Sequence, residues 1–238
     1  MEKKTCSKNL AGKSLFITGT DTDVGKSIVT LALALALEKA GYSVGVYKPL
    51  QSGAYPEKGK LVAPDLALMQ KFSDTFLCGC SYLLEGECSP ALALKLANRS
   101  FFMDKIQTDF LDLQKKCDIV LVEGAGGLLC PVQLDKGLTM ADVIKSLGLA
   151  CVIVARSLLG TVNHCLMTDS IAKTYGLQVK GILLNKFPQK TENIAVRHVC
   201  EEIAAYTQTP LFCIPEVDVL SAENLAVLFQ DTIDRIIG

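Results

Sequence analysis

With 238 residues, half of them hydrophobic, the chain has the apolar material for one sizeable α/β core and needs no second domain. Its 24 basic and 25 acidic side chains leave a net charge of -1, which excludes the cationic excess of an extended nucleic-acid surface. No run is as long as a membrane span, and residues 1–13 are polar, without the apolar centre of a secretory signal. A single domain over 1–238, with 1–13 as a polar extension, is therefore expected in the cytoplasm and away from membranes.

In chain order, an apolar run at 14–18 predicts a first strand, and 26–40 predicts a helix that Gly41 stops. Between them lies Thr18-Gly19-Thr20-Asp21-Thr22-Asp23-Val24-Gly25-Lys26-Ser27. A glycine turn between a strand and a Lys-Ser helix start is the context of a phosphate-cradling loop, whose amides and first helical turn form a concave site for polyphosphate oxygens. Lys26 is expected to reach the outer phosphates and Ser27 to ligate magnesium. Five residues rather than four separate Gly19 from Gly25, so the common G-x-x-x-x-G-K-[ST] spacing is not met to the letter.

A second strand is predicted at 43–47, followed by Lys48-Pro49-Leu50-Gln51-Ser52-Gly53. A lysine directly after a buried strand faces the ligand edge, where a cation stabilises charge developing in phosphoryl transfer; a solvated loop lysine is the alternative. Residues 50–100 carry Gly, Pro and Ser and predict substrate-facing loops with one or two short helices. There Pro64-Asp65 opens a helical pattern, with Asp65 either capping it or aimed at magnesium. Cys78, Cys80 and Cys88 offer three thiols and no nearby histidine, and the ten cysteines together read as reduced thiols.

A helix over 103–116 leads into a strand at 118–122, whose continuous apolar residues indicate cover on both faces. Glu123-Gly124-Ala125-Gly126-Gly127 follows and sets a carboxylate where magnesium-bound phosphates lie. Then come a strand at 150–155, a glycine turn with Thr161 as the expected helix cap, a helix over 162–175 stopped by Gly176, and a strand at 180–184 before Asn185-Lys186. A helix over 191–207, a strand at 211–214 and a helix over 221–237 complete the chain. This alternation predicts a mostly parallel central sheet flanked by helices, an α/β P-loop nucleoside-triphosphate fold, with the polar and glycine residues gathered on one sheet edge. Only His164 and His198 are present, which leaves little for Ser-His-Asp chemistry.

These stretches resemble the dethiobiotin synthetase family. The resemblance rests on 19–27, on Tyr47-Lys48-Pro49 with Ser52-Gly53, on Val122-Glu123-Gly124-Ala125-Gly126-Gly127 and on Val162-Asn163-His164, and extends over residues 14 to 224. In that family the five-residue gap between the loop glycines is the rule. It implies an ATP-dependent cyclo-ligase that forms carbon–nitrogen bonds, joining 7,8-diaminononanoate and CO2 through a carbamate and a carbamic–phosphoric anhydride.

Carried onto this sequence, the resemblance implies that Asp23, Val24, Gly25, Lys26, Ser27 and Ile28 hold the phosphates, and that Ser27, Asp65 and Glu123 bind Mg2+. Lys48, with Lys26, is the implied catalytic cation, and Thr22 and Ser52 are implied to contact substrate. The backbone of Glu123, Gly124, Ala125 and Gly126 is implied to line the space between nucleotide and diamine. Asn185, Lys186, Pro215, Glu216, Val217 and Glu223 are implied to lie on the adenine side, Lys186 departing from the acidic residue often found there. A homodimer is also implied, with Gly160, Thr161, Val162 and Asn163 gripping the carboxylate of substrate held by the other subunit.

The alternative from another class is a P-loop partition-type ATPase, which carries a signature lysine early in the loop. Here Asp21 stands five residues before Lys26, and the final predicted helix lacks a basic face for lipid. A cobalamin-type amidotransferase needs a further glutamine-hydrolysing domain for which 238 residues leave no room.

Overall fold

The computed structural model describes residues 13–188, 190–217 and 219–238; all but the last residue of the expected 1–13 extension lies outside them. The chain begins with strand β1 (Ser14–Gly19), helix α1 (Lys26–Lys39) and β2 (Val44–Gln51). A hairpin, β3 (Tyr55–Glu57) and β4 (Lys60–Val62), precedes α2 (Pro64–Phe72), β5 (Leu77–Leu83), α3 (Pro90–Leu96) and α4 (Met103–Gln114). Next come β6 (Ile119–Glu123), the hairpin β7 (Pro131–Gln133) and β8 (Leu138–Thr139), α5 (Met140–Leu147), β9 (Ala150–Arg156) and α6 (Thr161–Thr174). The chain closes with β10 (Val179–Phe187), α7 (Ile194–Ala204), β11 (Leu211–Pro215), α8 (Ala222–Val227) and α9 (Ile233–Ile237).

Among the described residues the main sheet has seven strands in the order β11-β10-β9-β1-β6-β2-β5, with every neighbouring pair parallel. Parallel pairing requires crossover connections, which cover both faces and explain the continuous apolar strands. Successive side chains divide between the faces. Leu15 and Ile17 pack with Val46, Leu121 and Val152 in the layer of α1, α2, α8 and α9, while Phe16 packs with Tyr47, Val120 and Val122 in the layer of α3, α4 and α5. Farther along, Ile153, Ala155, Ile182 and Leu184 meet Cys165 of α6 and Val199 and Ile203 of α7.

Helix α1 is buried on almost every side because its Leu-Ala run lies between the sheet and α8. Its end matches the expected glycine stop: Gly41 adopts φ 92°, and the N–H groups of Gly41 and Tyr42 donate to Glu38 O at 2.9 Å and Leu37 O at 3.1 Å. Gly176, at φ 74°, ends α6 in the same way, with Leu177 N donating to Ala172 O at 3.0 Å.

Four expectations are corrected. Strand β2 runs on through Lys48 to Gln51, so this lysine sits inside a paired strand rather than after one. Strand β5, which pairs with it, was not expected, since Cys78-Gly79-Cys80 lacks the β-branched residues that mark strands. The helix expected over 191–207 spans Ile194–Ala204: the Asn193 side chain caps its start, accepting from Ala195 N at 3.1 Å, and beyond its end the Thr207 hydroxyl donates to buried Asp169 Oδ2 at 2.7 Å. The helix expected over 221–237 is broken into α8 and α9, which lets Leu225, Phe229, Ile233 and Ile236 all turn into the α1 layer.

Because Leu33 is fully buried at the centre of this layer, Leu33→Ala is expected to cost about 2–5 kcal/mol of stability, read as a lower urea midpoint at unchanged slope.

Candidate active site

The carboxyl ends of β1, β6 and β2 lie side by side, and the segments that leave them enclose a cleft of about 870 Å³. Its floor is the loop between β1 and α1. Gly25 is the N-cap of α1 at φ 96° and offers no side chain, so the first helical amides open onto the loop. A Cβ at Gly25 would lie 2.0 Å from Asn185 Nδ2, which donates to Val24 O at 3.0 Å and ties the loop to the end of β10. Lys26 curls back to donate to Asp21 O at 2.8 Å.

Lys48 is 4% exposed. Its Nζ lies 2.6 Å from Asp65 Oδ2 and 2.8 Å from Glu123 Oε1, and it also donates to Gly124 O at 3.1 Å. Ser27 Oγ lies 2.9 Å from both Asp65 Oδ1 and Glu123 Oε1. A hydroxyl has one proton to donate, so it serves one of these carboxylates at a time. Glu123 Oε2 is buried with no partner among the described residues. One hydroxyl and two carboxylates are the hard oxygen donors that Mg2+ takes, and the unpartnered oxygen and divided proton leave room for such a cation.

The charges tune one another. Burial works against the Lys48 ammonium, but Glu123 and Asp65 outweigh it and push its pKa up, so Lys48 is a fixed cation at neutral pH. Burial followed by the nearby Lys48 pushes the Lys26 ammonium down. Burial alone would raise the Asp65 carboxyl; Lys48 and Ser27 hold it below the usual carboxylate range.

Of the residues expected at the site, Thr22, Asp23, Gly25, Lys26, Ser27, Ile28, Lys48, Ser52, Asp65, Glu123, Ala125, Gly126 and Lys186 line the cleft. Val24, Gly124 and Asn185 stand behind it through the hydrogen bonds given above. Glu216 comes to the Lys186 rim, its Oε1 3.9 Å from Lys186 Nζ, and Pro215 and Val217 flank it. Glu223 lies exposed in the first turn of α8, and Gly160, Thr161, Val162 and Asn163 open α6; none of these five lines the cleft.

Of the two readings of Asp65 one falls away, and the expectation for Thr161 changes. Asp65 does not cap α2: Ala63 holds that position without a side-chain bond, and the carboxylate goes to Lys48 and Ser27 instead. Thr161 does not cap α6 either, because Gly160, at φ 90°, is the N-cap and the Thr161 hydroxyl lies 3.8 Å from Cys165 Sγ. Glu87, Cys88 and Cys130 line the cleft without having been expected there. The first two arrive because the β2–β5 pairing continues past the strands: Leu84 N donates to Gln51 O, Ala54 N to Leu84 O and Gly53 N to Gly86 O. Only the unrecognised β5 could have revealed this.

A carboxyl whose pKa is lowered by folding stabilises the fold above the ordinary carboxylate value of about 4, and that contribution is lost as pH falls through the lower folded value. Asp65→Asn is therefore expected to reduce the drop in urea midpoint between about pH 7 and about pH 3, measured against the unaltered chain.

Residues 13–224 match the model of a family described as an AAA domain. The ATP-dependent dethiobiotin synthetase of Anoxybacillus flavithermus is 41% identical over 188 residues, 79% of this chain and 84% of its own. That of Clostridium perfringens is 38% identical over 179 residues, 74% of this chain and 78% of its own. Among solved structures, cobyrinic acid a,c-diamide synthase from Mycobacterium smegmatis, described with bound ADP and magnesium, overlays with a TM-score of 0.59 at 16% identity, over 93% of this chain and 92% of that one, a likeness of fold alone. With its parallel sheet, its phosphate loop and relatives of this identity and coverage, the chain belongs to the ATP-dependent dethiobiotin synthetase family of P-loop ligases.

Proposed function

We propose that the chain carries out the ATP- and Mg2+-dependent carboxylation and ring closure of 7,8-diaminononanoate with CO2, giving dethiobiotin, ADP and phosphate. The observation that carries this is the buried Lys48 ammonium, joined to Asp65 and Glu123 at the head of a phosphate loop. A nucleotide-binding module alone has no use for a desolvated cation there.

The chemistry is an activation. One amine adds to CO2 as a carbamate, a poor acyl donor. Its oxygen attacks the γ-phosphorus and ADP leaves, after which the second amine attacks the carbonyl carbon of the mixed anhydride and phosphate departs. Lys48, fixed as a cation, offsets charge on the carbamate and the transferring phosphoryl oxygens. Lys26 and the loop amides hold the outer phosphates. Ser27, Asp65 and Glu123 are the residues that would hold Mg2+, whose contribution is neutralisation of phosphate charge. Ser52 and Thr22, both on the cleft wall, contact the carbamate end, and the 123–126 backbone separates the nucleotide from the diamine. Asn185 Nδ2 is engaged by Val24 O, which leaves its carbonyl oxygen for the adenine amine, with Lys186, Pro215, Glu216, Val217 and Glu223 on that side.

A homodimer belongs to the same proposal. An apolar hollow of about 770 Å³ lies between the turn at 127–130 and Leu166, Met167 and Ile171 of α6, and Leu129, Leu158, Leu159 and Met167 are exposed on the surface. Such a surface suits a second copy, which would receive Gly160, Thr161, Val162 and Asn163 at its own substrate. No helix among the described residues is long and apolar enough to cross a membrane, and a cytoplasmic location completes the proposal.

Phosphate release from ATP is expected to require both the diamine and bicarbonate; turnover indifferent to omission of either would sink the proposal. Lys48→Ala is expected to lower kcat by about 100-fold or more while ATP affinity changes far less, measured by phosphate release and by calorimetric titration. Equal loss of both would make Lys48 a binding residue only.

A further inference from the structure

Nine cysteines fall among the described residues, all free thiols, and the proposed reaction uses none of them. Two nevertheless meet. Cys200 Sγ, on α7, lies 3.3 Å from Cys213 Sγ, on β11. No other two cysteine sulfurs among the described residues come within hydrogen-bonding distance of each other. Cys213 reaches solvent and Cys200 is half-buried, so a small molecule can approach the pair.

We propose that Cys200 and Cys213 form a reversible disulfide, a modification site whose oxidant is a small-molecule disulfide of the glutathione type. Bonded sulfurs sit about 2.0 Å apart, so closure asks for an approach of little more than an ångström, within reach of side-chain rotation on a helix and an edge strand. Burial and the neighbouring sulfur push the Cys213 thiol up to about 12. The exchange can begin at either sulfur with the same balance. When Cys200 attacks, its thiolate displaces one thiol from the oxidant and forms a mixed disulfide. Cys213, losing its proton as it attacks the Cys200 sulfur, displaces the second thiol. The protein gives up two protons and two electrons, and the oxidant takes them up to become two thiols. Where glutathione is kept reduced the pair stays a dithiol, and it closes when oxidised disulfide accumulates.

The tie falls on an edge of the sheet. Strand β11 is an edge strand, paired with β10 alone, and the β10–β11 register shifts between Leu184 and Phe187. A bond from Cys213 to α7 closes a connection of 13 residues and fixes this edge against the helix that covers it, just before the chain enters Pro215 and Glu216.

The test treats the whole folded chain with oxidised glutathione, alkylates the remaining thiols and cleaves after Glu201 and Glu202, which lie between the two cysteines. Expected are a mass loss of about 2 Da, Cys200 and Cys213 peptides joined until reductant is added, and a thermal midpoint raised by about 5 °C. Cys213→Ser is expected to stop at a glutathione adduct on Cys200 and to show no such rise. Both sulfurs alkylated after treatment, a lasting glutathione adduct on the unaltered chain, or a link joining other cysteines would each overturn the proposal. None of these results depends on the chain's substrate.

Discussion

Desolvating one ammonium organises this molecule's functional edge. Lys48 sits inside β2 with almost no access to water, and a buried cation is tolerated only where opposite charge and hydrogen-bond acceptors surround it. The partners come from α2 and β6, so the entry of α2, the end of β6 and the course of β2 all have to converge on one nitrogen. Ser27, at the start of α1, then meets the same two carboxylates and brings the phosphate loop into the arrangement. Three elements of the first third of the chain and β6 from its middle are held together by this charge and hydrogen-bond network.

The sheet makes that convergence possible. With β1 next to β6 and β6 next to β2, the segments that follow all three open on one edge. Glycine lets them pack there: a Cβ at Gly127 would approach Thr20 O to 3.2 Å, and one at Gly124 would lie 2.9 Å from Phe16 Cε1. Asn185 completes the floor from β10 through its bond to Val24 O, so the phosphate loop is braced from both halves of the sheet.

Much of this was legible in the residues. Apolar strand runs such as Ile119-Val120-Leu121-Val122 announce two-faced burial, and the loop from Gly19 to Ser27 announces phosphate chemistry by composition and context. Lys48 and Glu123 could be placed on the functional edge because each follows an apolar run, although Lys48 proved to be in the strand itself. Asp65 was ambiguous, since the same residue type serves as a cap and as a ligand, and only the fold decides which group it faces. What escaped was structure held by tertiary pairing rather than local preference. Strand β5 has Cys, Gly, Cys and Ser at its centre and owes its form to β2, and α5 is eight residues long, too short for its periodicity to stand out. The contact between Cys200 and Cys213 left no trace in spacing, because a helix and a strand bring the two together.

The pairing that carries Gly53 and Ala54 onto Leu84 and Gly86 gives the outer wall of the cleft the stiffness of a sheet while its residues remain outside one. A wall tied by main-chain bonds is held to one register, because a slip of one residue turns its side chains to the other face. Glu87 and Cys88 are thereby carried into the cleft lining beside Ser52 and Gly53. The width of the cleft on this side is set by main-chain pairing and not by the side chains that line it.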